Sequence, residues 1–87
     1  MVEPGSWLVD LRDDLERAAR PLSVVGAGSV LPAELDDLLA GIAPPIPRSA
    51  PVVVVCSSGI RAELGAACLE ALGFEDCAFM KLAPPAD

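Results

Sequence analysis

The sequence predicts a small α/β domain, a mostly parallel central sheet flanked by helices, and three observations carry that prediction. Four consecutive valines, Val52 to Val55, run directly into Cys56. An unbroken β-branched run of this kind reads as a strand buried on both faces, as in a parallel sheet. On either side of it, apolar residues recur at helical spacing: Leu35, Leu38, Leu39 and Ile42 before it, and Leu64, Ala67, Cys68, Ala71 and Leu72 after it. Third, 87 residues suffice for one hydrophobic core and leave little room for a second, so residues 1–87 are expected to form a single domain.

Taken in order, Trp7 to Leu11 read as a short buried strand. Arg12 to Ala19 come next with helical spacing, Leu15 and Ala18/Ala19 on one face, until Pro21 stops them. Leu22 to Val25 are a second strand candidate, closed by the glycine-rich turn at Gly26 to Ser29. Pro32 suits the first position of a helix, where its missing N–H is no loss. Glu34, Asp36 and Asp37 then lie early in that helix, where its dipole favours them. Gly41 and the proline-rich stretch 43–51 end it, and that stretch reads as a stiff connector of polyproline character. After the valine strand comes the turn Ser57-Ser58-Gly59, then the last helix, which Gly73 terminates in a left-handed conformation. Cys77 to Met80 form the closing strand.

Composition excludes several functional classes. Hydrophobic residues make up 53% of the chain, which marks a folder and not a disordered segment. Thirteen acidic against six basic residues give a net charge of −7, the wrong sign for a nucleic-acid partner. The same charge repels a small dianion at long range, except near Arg61. Three cysteines without close pairs do not form a disulfide framework, and with no histidine and no C-x2-C a metal site is not expected. No apolar run reaches the 18 residues of a membrane span, and the start MVEPGS lacks the features of a signal peptide, so a cytoplasmic protein is expected.

The chemistry concentrates at the end of the valine strand. In an open α/β sheet, ligands gather beyond the carboxyl ends of the strands, and Cys56 stands there with a tight turn and a helix start behind it. Backbone N–H groups of the turn converge, the helix dipole adds partial positive charge, and Arg61 adds a full one. A thiol in that setting is held below its free pKa and is a usable thiolate. Gly59 permits a backbone angle closed to other residues, while Ser57 and Ser58 offer hydroxyls or turn duty. Cys68 and Cys77 read as core.

The stretch CSSGIR, Cys56 to Arg61, resembles the active-site loop of the rhodanese-like sulfurtransferase family, specifically its single-domain members. That loop begins with the catalytic cysteine and often ends in arginine; the related cysteine phosphatases use C-x5-R, one residue longer than the C-x4-R found here. Asp10-Leu11-Arg12 followed by Glu16 resembles the family's opening Asp-x-Arg and downstream glutamate, whose acids tie the strand end to neighbouring loops. Gly26-Ala27 and Val30-Leu31-Pro32 are similar to the second half of the family's Gly-His-Ile-Pro-Gly-Ala with its succeeding apolar pair and proline, and Arg20-Pro21-Leu22 take the place of Gly-His-Ile. Ala71 to Phe74 resemble the family's link to the last strand, after which KLAPPAD stands where Gly-Gly and a tryptophan-bearing helix are usual. The resemblance covers nearly all of residues 7–82, with both edges of the fold trimmed.

The resemblance implies a ping-pong sulfur transfer without cofactor. Cys56 would be the nucleophile, and Ser57, Ser58, Gly59, Ile60 and Arg61 would bind the substrate. A small donor such as thiosulfate or a persulfide would load Cys56, and cyanide or a low-molecular-weight or protein thiol would unload it. Many relatives carry a basic residue directly after the cysteine, so Ser57 implies weaker thiosulfate binding. The alternatives are a rhodanese-like binding or regulatory module whose cysteine is unused, and a small phosphatase or arsenate reductase.

Overall fold

A computed structural model of the chain describes residues 6–19 and 29–81. Its element order is β1 (Trp7–Asp10), α1 (Asp14–Ala19), β2 (Ser29–Pro32), α2 (Leu35–Leu39), β3 (Pro51–Cys56), α3 (Ile60–Ala71) and β4 (Asp76–Lys81). The strands form one parallel sheet in the order β2-β1-β3-β4. The chain steps one way from β1 to β2 and the other way from β3 to β4. The carboxyl ends of β1 and β3 therefore flank a topological switch point, where an open sheet leaves a crevice. The valine strand is central, and Val52, Val54, Val55 and Cys56 are all buried.

The main core lies on one face of the sheet. Val9, Leu11, Val52, Val54 and Cys56 meet Leu38 of α2, Ala62, Ala66 and Leu69 of α3, and Ile46 and Phe74 from the connecting segments. Burial of an aliphatic or aromatic side chain contributes about 1.5–3 kcal/mol each, so this cluster supplies much of what opposes chain entropy.

Several boundaries and faces differ from the sequence expectation. The first helix begins at Asp14, because Asp13 caps it: Glu16 N–H donates to Asp13 Oδ1 at 2.7 Å and Asp13 N–H to Glu16 Oε1 at 3.1 Å. This reciprocal capping box leaves Arg12 outside the helix, and Leu15 is 83% exposed instead of on an apolar face. Pro32 closes β2 and does not open α2, which starts at Leu35. Strand pairing accounts for this, since Ser29–Pro32 lie in register with Trp7–Asp10. The expected strand at Leu22–Val25 and residues 26–28 of the turn expected at Gly26 to Ser29 lie outside the described residues, while Ser29 opens β2.

The helix faces are corrected too. In the α2 region only Leu38 is fully buried; Leu39 and Ile42 are exposed, α2 being a five-residue helix that ends before Ile42. The proline-rich segment is not an extended spacer. It turns at Ile46 N–H to Pro44 O (2.8 Å) and at Ala50 N–H to Pro47 O (3.1 Å), and it buries Ile46 in the core. On α3 the buried positions are Ala62, Gly65, Ala66 and Leu69, while Leu64 is 49% exposed. The reason is distance. A Cβ on Gly65 would stand 2.7 Å from Leu11 Cδ1 and 3.1 Å from Val54 Cγ1, so at this point of the face the helix lies too close to the sheet for a larger residue. Cys68 and Cys77 are half-buried and pack against the core, as expected, and Gly73 has the left-handed φ of +96° that ends the helix.

Candidate functional site

The site is built where β3 gives way to α3. Gly59 is the helix N-cap and has φ +85°, a left-handed angle that costs an L residue roughly 1–2 kcal/mol. With no side chain, it cannot satisfy the free N–H groups of the first turn. Cys56 takes that role. Its Sγ accepts the Gly59 N–H at 3.0 Å and the Ala62 N–H at 3.2 Å, and it lies 3.8 Å from Ser58 Oγ. Ala62 is the third helical residue, the position whose N–H an N-cap side chain ordinarily receives. Sequence reasoning placed the donors within Ser57 to Arg61 and missed Ala62; a glycine N-cap, which leaves that N–H unclaimed, was the available signal.

Burial pushes the Cys56 thiol up and is the largest single influence. The Ala62 N–H, the Ser58 hydroxyl, and the Gly59 and Ser58 N–H groups together outweigh it, so the thiol is held below its ordinary pKa. The residue is also 0% exposed. Cys56 is thus a buried sulfur held by hydrogen bonds from its own loop and from the first turn of α3. Cys77 is its opposite: burial, Glu70 and Asp76 push its thiol up.

The remaining loop residues divide. Ser58 Oγ accepts the Ile60 N–H at 3.3 Å, holding the turn, while the Ile60 side chain is 69% exposed. Arg61 does not reach the sulfur as a counter-charge. Its Nη1 donates to Leu11 O at 3.1 Å and its Nη2 to Glu16 Oε1 at 3.3 Å, which ties α3 to the end of β1. The Ser57 hydroxyl, then the Asp13 N–H, then Arg61 lower the Glu16 carboxyl from 4.5 to about 2, against an opposing push from desolvation. A cleft of about 220 Å³ opens beside Arg61, lined by Leu11, Glu34, Leu35 and Asp36.

The acids that the sequence assigned to structure do hold the strand end. Asp10 is buried and accepts from Arg12 N (3.0 Å), Nε (3.0 Å) and Nη2 (3.1 Å), so Arg12 is ion-paired inside the fold. Arg17 adds a longer ion pair to Asp10 at 3.8 Å and bonds from Nη2 to the carbonyls of Asp10 (2.9 Å) and Ala33 (3.0 Å).

Residues 1–82 match the family model described as Rhodanese-like domain. The chain belongs to the rhodanese-like domain family. Solved structures agree at the level of fold. This rhodanese-like domain is similar to the rhodanese-like domain of the Alr3790 protein from Anabaena sp., with 20% identity and a TM-score of 0.64 over 94% of this chain and 78% of that one. A structure described as the Rhodanese_3 like domain of the same Anabaena protein gives 18% identity and a TM-score of 0.60, covering 87% of this chain and 82% of that one. A further structure of the Alr3790 protein gives 20% and 0.63, covering 93% and 68%. No curated protein matches the chain. No helix among the described residues is long and apolar enough to cross a membrane.

Proposed function

We propose that this rhodanese-like domain is a sulfurtransferase in which Cys56 carries the transferred sulfur. One observation carries the reading: two backbone N–H groups, from Gly59 and Ala62, point at Cys56 Sγ at hydrogen-bond distance. They stabilise a thiolate without a base, so the lack of histidine in the chain is no obstacle. In the first half-reaction the thiolate attacks the outer sulfur of thiosulfate; the new S–S bond forms as the old one breaks, and sulfite leaves with the electron pair. A persulfide donor reacts in the same way and releases its thiolate. The terminal sulfur on Cys56 is then taken by cyanide or by a low-molecular-weight or protein thiol, which returns Cys56 as thiolate. The donors that hold the thiolate also suit the persulfide anion, so the loop stabilises both resting forms. Ser57, Ser58, Gly59, Ile60 and Arg61 form the substrate-binding loop, Arg61 by fixing its geometry against Leu11 and Glu16.

Mass spectrometry after incubation with thiosulfate tests this directly. The expected result is a gain of one sulfur (about 32 Da) on the Cys56 peptide that is absent in Cys56→Ser. The complete burial of Cys56 favours a second reading, a binding or regulatory module whose cysteine is unused. Iodoacetamide titration separates the two. A sulfurtransferase shows Cys56 alkylated at lower pH than Cys77, whereas equal or slower labelling of Cys56 up to about pH 8 supports the silent module.

A further inference from the structure

We propose that Lys81, at the end of β4, is the cation that receives the charged group of an anionic sulfur donor at the proposed Cys56 site. The inference rests on the sulfur-transfer reading for its substrate and on three independent observations for its geometry. Lys81 is the register partner of Cys56 across the parallel β3–β4 ladder. Paired residues on adjacent parallel strands point to the same face, with the strands about 4.8 Å apart. The lysine stem accordingly stands against the loop, its Cβ 3.5 Å from where a Cβ on Gly59 would be. Gly59 is itself a donor to Cys56 Sγ.

The second observation is how the other basic side chains among the described residues are engaged. Arg12 and Arg17 are paired with Asp10, Arg61 with Glu16, and Arg48 donates to the Leu72 carbonyl while lying over the Phe74 ring. Among the described residues, Lys81 is exposed and has no carboxylate partner. The third is the charge around the loop. Glu34 and Asp36 line the cleft beside Arg61, and Glu63 is exposed on the first turn of α3. An anion approaching from the α2 side meets carboxylates, and one approaching at the carboxyl end of β4, away from Asp76, meets an ammonium. Lys81 thus supplies, from a neighbouring strand, the positive charge that Ser57 does not provide beside the nucleophile. The substrate class it fits is a small donor with a negative group attached to the transferable sulfur, a thiosulfate or thiosulfonate.

Two alkylating reagents with the same reacting carbon and leaving group, anionic iodoacetate and neutral iodoacetamide, test the charge independently of any sulfur transfer. The ratio of their rates at Cys56, followed by mass spectrometry of that peptide in the full chain, is compared for wild type, Lys81→Gln, Lys81→Glu and Lys81→Arg. The expected result at low salt is a fall in the iodoacetate-to-iodoacetamide ratio of about fivefold for Lys81→Gln and about tenfold or more for Lys81→Glu. Lys81→Arg keeps the wild-type ratio, and the differences shrink in about 1 M salt. The same variants are then loaded with thiosulfate, and persulfide formation falls in parallel with the ratio. An unchanged ratio overturns the proposal, as does a fall in both alkylation rates together or the failure of either reagent to reach Cys56. A shifted ratio without any persulfide in wild type supports the role of Lys81 toward anions and removes the sulfur-transfer reading alone.

Discussion

Replacing Gly65 with alanine tests whether close contact between α3 and the sheet sets the geometry of the Cys56 site. The added methyl would lie 2.7 Å from Leu11 Cδ1 and 3.1 Å from Val54 Cγ1, and both neighbours are buried, at 3% and 0% exposure. Val54 lies wholly in the core and Leu11 borders the cleft beside Arg61, so the methyl is accommodated by rotating the end of the Leu11 side chain and by a few tenths of an ångström of separation at Val54. Overpacking of this kind costs about 1–3 kcal/mol. Alanine recovers about 1 kcal/mol over glycine in a helix interior, which leaves a net loss of about 1 kcal/mol. In urea this lowers the midpoint by about 0.5–1 M with an unchanged slope. The displacement also moves the amino end of α3, where Ala62 N–H reaches Cys56 Sγ at 3.2 Å and Arg61 grips Leu11 O at 3.1 Å. The same variant therefore shifts the iodoacetamide profile of Cys56 to higher pH, because a weakened Ala62 contact leaves burial less opposed. Gly65→Val, larger and β-branched, has both effects more strongly. An alanine variant as stable as wild type, with an unmoved alkylation profile, would refute the claim that contact distance here governs either quantity.

Two further outcomes are expected from the contacts around the site. Glu16 has its carboxyl lowered from 4.5 to about 2, so its contribution to stability is complete above about pH 4.5 and is lost as pH falls through about 2. Urea midpoints measured between pH 5 and 2 should decline for wild type, and Glu16→Gln should flatten part of that decline; parallel curves for the two proteins would contradict the assignment. Arg48 donates to Leu72 O at 3.0 Å at the end of α3 and lies 4.3 Å from the Phe74 ring centroid, so Arg48→Ala should cost about 1 kcal/mol of stability. Unchanged thermal unfolding would show that neither contact holds the turn from α3 to β4.

The elements that the sequence announced best were those with one dominant local cause. The valine run became the central strand because it is buried from both sides, and Gly73 ended α3 because the chain there needs a positive φ. Periodicity misled on α3. Large residues such as Leu64 carry the strongest apolar signal, yet the buried face is Ala62, Gly65, Ala66 and Leu69, a stripe of mostly small residues selected by the approach of the helix to β1 and β3. Pro32 misled for a related reason: its fixed φ suits a helix start, but its neighbours were already committed to pairing with β1. Asp13 and Glu16 stand three residues apart as a capping box, and that local signal places the start of α1 better than the apolar spacing did.

From the sequence alone came the location of the loop that starts at Cys56, because a strand, a turn with glycine and a helix start are adjacent in the chain and need no distant partner. Long-range contacts decided how the charges are spent. Arg61 is held by Leu11 and Glu16, some 50 and 45 residues away in sequence. Lys81 is brought beside Cys56 only through pairing of β3 with β4. Electrostatic interaction depends on separation in space, and that separation exists only once the sheet has formed.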